Sequence, residues 1–213
     1  MFPPDFQTKF VGRTQQQRKD GTHNISEIPG VIGIDGSGMI YNALKTELGS
    51  AVFDVSPKVP LYNAKQKFVK DINCVTRNDR EAIMFLDGRP HLVKRAGENR
   101  TSRQEAMQRL CNEYNLGPLA NYERVKSLRK QCVFRRDDFT LMIIDECGKR
   151  GIKVFCAPFE ADWQLVAAQQ AGIIDNIITD DGDLFVIGGD NIIMTEVNFY
   201  TGRCCFYKRS EVL

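Results

Sequence analysis

"APFEADWQLVAAQQAGIIDNIITDDGDLFVIGG", residues 157–189, holds carboxylates in two tight groups beside runs that read as buried. Glu160 and Asp162 open an apolar helix that begins near Pro158, while Asp181 and Asp183 follow the β-branched strand NIITD at 176–180. A strand that is apolar throughout belongs to a parallel sheet covered on both faces, and strands alternating with helices build such a sheet. Working outward, the same alternation recurs. VIGID (31–35) is a strand that turns through GSG into a helix from about Ser37 to Leu48. Met39, Ile40, Ala43, Leu44 and Leu48 stand at helical spacing there, and Gly49 is its stop. Further helices are predicted around 61–76, 102–114, 119–133 and 137–148, with strands AIMFLD at 82–87 and IKVFC at 152–156. NIIMTEV and NFYTGRCCFYK read as a terminal strand and hairpin. The expected fold class is α/β, with a mainly parallel central sheet flanked by helices.

Residues 1–29 are polar, rich in Gln, Arg and Thr, and are expected to form a loosely held arm ahead of a core over 30–213. The longest apolar runs, such as VIGI and IMFL, are too short to span a bilayer, and no membrane association is expected. The N-terminus has no apolar stretch of the kind a secretory signal needs. Seven cysteines without a CxxC pair fit neither a zinc site nor a disulfide framework, so an intracellular, reducing compartment is expected, nuclear or cytoplasmic. Two histidines leave little room for histidine-based chemistry.

The net charge of +2 is unevenly spread. Arg89 to Arg136 carries 12 lysines and arginines against 4 glutamates, while the rest of the chain holds 17 basic and 23 acidic residues. A basic segment on an acidic body suits a polyanionic partner; the alternative is a solvated helical face. Arg89, Arg95, Arg124, Lys126, Arg129 and Lys130 are the candidates for nucleic-acid contacts.

In a parallel sheet the carboxyl ends of the strands share one edge, where α/β folds place their ligands. VIGID ends in Asp35, AIMFLD in Asp87, and NIITD runs into Asp181 and Asp183, while IKVFC leads through Ala157 and Pro158 to Glu160 and Asp162. Six acids from four segments would then converge, and their repulsion calls for protonation or for cations. All-oxygen ligation favours Mg²⁺ or Mn²⁺ over zinc. Each acid taken singly has a plainer reading: Asp35 or Asp87 as a helix cap or Asx-turn, Glu160 and Asp162 as macrodipole partners, and TDDGD as a turn. Repetition at successive strand ends is what points to a metal site. Asp175, Asp180 and Asp190 read as surface or turn acids. An acidic edge beside a basic segment suits phosphodiester hydrolysis with two metal ions. No GxxxxGK[ST] loop or strand-linked GxGxxG supports nucleotide chemistry.

"VIGIDGSGMIYNAL", "FLDGRPHLVK…NRTSRQEA" and the opening stretch resemble, in order and spacing, the nuclease regions of the flap endonuclease/XPG family of structure-specific 5′ nucleases. The resemblance spans about 31–195, and its most specific part is AP-x-E-A-[ED] followed by T-x-D-x-D. It implies a PIN-like core made of an N-terminal region (about 30–105), a basic helical arch or clamp (about 89–136) and an internal region (about 137–195). It places metal-binding acids on Asp35, Asp87, Glu160, Asp162, Asp181 and Asp183. Its catalytic, phosphate-contacting residues fall on Lys94 and on Arg100 or Arg103. Three departures stand out. Asp162 occupies a position where Glu is usual, the M-G-I-x-G-L start is replaced by the polar arm, and the family's helix-hairpin region and last acid lie beyond Leu213.

The leading expectation is therefore a metal-dependent nuclease acting on single-stranded or flapped DNA or RNA. The alternative is a nuclease-fold protein with little catalysis that serves as a nucleic-acid or protein scaffold. A protein partner, or the missing C-terminal region, would complete the core. A phosphatase or toprim-like enzyme would also cluster aspartates but would leave the basic segment unexplained.

Overall fold

A computed structural model describes residues 23–50, 58–88, 97–132 and 137–212. The chain divides into two compact units. The first comprises residues 1–39, 69–89 and 144–213, and the second comprises 40–68 and 90–143.

The first unit is built on a seven-stranded sheet. In chain order its strands are β1 (His23–Asn24), β2 (Ile32–Asp35), β3 (Ala82–Leu86), β4 (Lys153–Cys156), β5 (Asn176–Thr179), β6 (Ile192–Asn198) and β7 (Arg203–Tyr207). They lie side by side as β1-β7-β6-β5-β2-β3-β4. β6, β5, β2, β3 and β4 run parallel, whereas β7 and β1 are antiparallel additions at one side. The parallel strands explain the continuous apolar runs. Ile32 and Ile34 of β2 and all four residues of β5 are buried. From β2 the chain builds outward through β3 to β4, then returns to the opposite side of β2 as β5. The carboxyl ends of β2 and β5 therefore flank a topological switch point, the position where open α/β sheets bind ligands.

Helix α6 (Ala161–Gln170; the intervening helices are α1 Gly36–Ser50, α2 Lys58–Val75, α3 Gly97–Asn115, α4 Tyr122–Gln131 and α5 Asp137–Lys149) covers this sheet. Its buried Ala161, Leu165, Val166 and Ala168 join Phe85, Ile174, Ile177, Ile192 and the short α7 (Asp183–Ile187) in one core. α6 starts three residues later than Pro158. Gly88 donates its N–H to the Phe159 carbonyl (2.6 Å) and Ala157 donates to Leu86 (2.8 Å), so 157–159 is held as a loop and Glu160 becomes the N-cap. A Cβ at Gly88 would come within 1.9 Å of the Ala157 carbonyl oxygen, so only glycine permits this approach.

The end of the expected N-terminal arm is a correction. Residues 23–29 belong to the fold: β1 pairs with β7, Ile25–Glu27 forms a 3₁₀ turn, and Ile25 and Ile28 are buried. Arg80 secures them by donating to the carbonyls of Ile25 and Ser26. Two isolated isoleucines carry no periodicity, which is why the polar flanking sequence hid them. The helix α7 is also absent from the sequence reading, because TDDGD reads as a turn.

In the second unit α3 and α4 form a helical hairpin around buried Leu110, Val125 and Leu128, with Tyr114, Ala120 and Cys132 packed against them. Asn121 caps α4 by accepting from the Arg124 N–H (3.0 Å). Among the described residues, no helix is long and apolar enough to cross a membrane.

Candidate active site

Four strand or helix ends meet at the switch point. Asp35 closes β2 and caps α1, with Oδ1 accepting from the Gly38 N–H at 2.9 Å. Its Oδ2 accepts from the Thr179 hydroxyl at the end of β5 (3.1 Å). A Cβ on Gly38 would stand 2.5 Å from that Oδ2, so the residue must be small for the carboxylate to sit there. Thr179 Oγ1 also accepts from the Asp181 N–H (3.0 Å), and Asp181 Oδ1 accepts from the Asp183 N–H (2.8 Å). One hydroxyl thus fixes the β5 acids relative to the β2 acid. On the other side, Asp87 follows β3. Its N–H donates to Ser37 Oγ (2.9 Å), and its Oδ1 accepts from the Ala161 N–H that opens α6 (2.9 Å).

Asp87 therefore caps α6 from a neighbouring strand. Glu160, the N-cap residue itself, makes no side-chain cap bond. The plain capping reading holds in part for Asp35 and Asp87.

Electrostatics bind the group together. Burial, followed by the proximity of Asp35, Asp181, Asp87 and Glu160, pushes the Asp162 carboxyl up to about 7. Asp35 is pushed up to about 6, chiefly by burial, with Asp87 and Asp180 adding repulsion and the hydrogen bonds from Gly38 and Thr179 opposing it. Each charged carboxylate thus raises the cost of ionising its neighbours. Asp35, Asp87, Glu160, Asp162 and Asp181 form one coupled set. Asp180, read as a surface acid in the sequence, belongs beside it. Asp183 begins α7 as an exposed residue and donates its backbone N–H to Asp181. Thr179 and Ser37 are positioning residues that the sequence reading missed; a hydroxyl at a strand end or helix start was the available signal. Among the described residues, no three His, Cys, Asp or Glu side chains are spaced to hold a metal ion outright. The donor chemistry nevertheless fits a hard divalent cation, because every converging group is a carboxylate.

The expected catalytic and phosphate-contacting residues are less fully placed. Lys94, Arg89 and Arg95 lie outside the described residues, and Arg100 and Arg103 lie on α3 with side chains that are likewise outside them. Arg124 is exposed on α4 and pairs through Nε with Glu113 Oε2 (3.1 Å), whose other oxygen accepts from the Asn121 N–H (2.9 Å). Lys126, Arg129 and Lys130 are half-buried on the same helix.

Residues 151–210, which contain β4, α6, β5 and the Glu160–Asp183 acids, match the XPG I-region. Over these residues the chain is similar to the XPG/flap endonuclease family. Its similarity extends to Exonuclease 1 of Drosophila melanogaster, 33% identical over 131 residues, covering 60% of this chain and 17% of that protein. Exodeoxyribonuclease 1 of Saccharomyces cerevisiae is 28% identical over 174 residues, covering 82% of this chain and 24% of that protein. The chain thus spans less than a quarter of either relative's length. Its fold is that of the catalytic core of Rad2, solved in complex with DNA substrate (TM-score 0.58, 20% identity, 89% of this chain and 50% of that chain). Human GEN1 in complex with Holliday junction DNA shares it too (TM-score 0.55, 16% identity, 98% and 44%).

Proposed function

We propose that this chain is a nuclease of the XPG/flap endonuclease family that hydrolyses phosphodiester bonds of single-stranded or flapped nucleic acid with the help of divalent metal ions. The observation that carries the reading is the coupled carboxylate set at the switch point, in which Asp162 faces four other acids. Such a set is costly in a protein that uses it only for structure. DNA is the favoured substrate class, because the similar proteins bear the names Exonuclease 1 and Exodeoxyribonuclease 1.

Asp35, Asp87, Glu160, Asp162 and Asp181, with Asp183 beside them, would hold two Mg²⁺ or Mn²⁺ ions. When bound, such ions supply an activated water and offset the charge that grows on the scissile phosphate. The chain's own contribution is to position the donors. Thr179 and Gly38 orient Asp35, Ser37 and the α6 N-terminus orient Asp87, and the loop behind Gly88 presents Glu160. Lys94, with Arg100 or Arg103, is proposed to oppose developing phosphate charge, and the basic α3–α4 hairpin to contribute phosphate contacts.

Incubation with 5′-labelled flap, single-stranded and duplex DNA, in Mn²⁺ or EDTA, tests this. Metal-dependent cleavage that Asp181→Asn abolishes is the expected result. Tight binding of the same oligomers with no cleavage of any of them would replace the reading by that of a nuclease-fold scaffold.

A further inference from the structure

Two large aromatic side chains flank the acids of α6 and are left in solvent. Phe159 precedes Glu160 and is 48% exposed; Trp163 follows Asp162 and is 58% exposed. Trp163 is the chain's only tryptophan. It stands on the helix face opposite Ala161, Leu165 and Ala168, which are buried in the core, so packing does not account for it. Trp163 is the third residue of α6, and helical Cα–Cβ bonds tilt toward the helix N-terminus, the end at which Phe159 and Glu160 stand. That loop is fixed by the Gly88–Phe159 and Ala157–Leu86 hydrogen bonds, so the aromatic pair is presented on rigid backbone.

The geometry points to an aromatic platform, Phe159 with Trp163, on which an unpaired nucleobase stacks while its phosphate lies at the carboxylates. This inference rests on the nuclease reading and names how the substrate is held beside the site. Base-on-aromatic stacking tolerates any sequence, since every base has a π-face. An apolar protein surface laid across Phe159 and Trp163 would also cover the adjacent carboxylates of Glu160 and Asp162 without offering them partners. A nucleotide sets an uncharged ring on the aromatics and leaves the acids for the ions they would hold.

The single tryptophan makes the contact readable. With Ca²⁺ in place of Mn²⁺, so that the acids are neutralised, its emission is titrated with oligothymidylate, and separately with an abasic oligomer of equal length that has the same phosphodiester backbone. Quenching and tighter binding by the base-bearing oligomer are expected. Trp163→Ala is expected to lower affinity for oligothymidylate about tenfold, within the range that one stacked base contributes, without changing affinity for the abasic chain, and Trp163→Phe is expected to restore most of it. Equal quenching by the two oligomers, or none by either, overturns the platform. So does concentration-dependent dimerisation that Trp163→Ala abolishes while base preference stays unchanged. Cleavage in Mn²⁺ is scored separately: cleavage without base-dependent quenching removes the platform and leaves the nuclease, and base-dependent quenching without cleavage does the reverse.

Discussion

Asp162 and Asp35 hold their protons far more tightly than an ordinary aspartate, which starts from 3.8, because each is buried among other carboxylates. In the metal-free protein this has a definite sign. A carboxyl whose pKa is raised by folding binds more protons in the folded than in the unfolded state between those two pKa values, so stability falls as pH rises through that window. Thermal melts in EDTA are expected to show a lower melting temperature at pH 8 than at pH 5 from these groups. Removing one charge relieves the strain. Asp162→Asn is expected to raise the melting temperature in EDTA at pH 8 by roughly 2–4 °C, the change that about 1 kcal/mol produces in a chain of this size. That figure is kept small because Asp162 remains partly exposed to screening solvent. A fall in melting temperature for this variant would mean the acids are held by compensating contacts and not in mutual repulsion.

At the level of elements, the loop between β4 and α6 decides where Glu160 and Asp162 point. It runs so close to the end of β3 that the Ala157 carbonyl occupies the space a side chain at residue 88 would need. Gly88→Ala is therefore expected to cost about 1–3 kcal/mol of stability, as overpacking against unyielding backbone does. It should also weaken metal-induced stabilisation more than a distant substitution of equal cost, a comparison that melts with and without Mn²⁺ provide. In the helical hairpin, Glu113 is only 7% exposed and depends on Arg124 and the Asn121 N–H. Arg124→Ser is expected to destabilise the protein by about 1–3 kcal/mol, since it strips one partner from a buried carboxylate. A substitution aimed at nucleic-acid binding should spare it. Lys126→Ser with Lys130→Ser is the cleaner test: it should weaken DNA binding and flatten its dependence on salt, measured by anisotropy across a salt series.

For the molecule as a whole, the ions that the acids would hold couple catalysis to stability. A ligand that binds only the folded state stabilises it by about 2.7 kcal/mol at a concentration one hundred times its dissociation constant. Millimolar Mn²⁺ is therefore expected to raise the melting temperature at pH 8 by roughly 5–10 °C. The change should be largest at the pH where the metal-free acids are most strained, and it should vanish in a variant carrying both Asp181→Asn and Asp183→Asn. An unchanged melting temperature in the parent protein would count against metal binding at the switch point.

Much of this was legible in the chain itself. Periodicity and strand-end position marked Asp35, Asp87, Glu160, Asp162 and Asp181 because a parallel sheet brings every strand's carboxyl end to one edge, whatever the strand order. The β-branched run IIT of β5 announced burial on both faces for the same reason. What only the tertiary structure decided are contacts between segments far apart in sequence. That Thr179 bridges Asp35 to Asp181, that Asp87 caps a helix beginning 74 residues later, and that Arg80 holds the Ile25–Glu27 turn all depend on strand order and register. A local sequence pattern encodes which residues face inward. It does not encode which distant hydroxyl or amide will stand within hydrogen-bonding distance, because that is settled by how the sheet is assembled around β2.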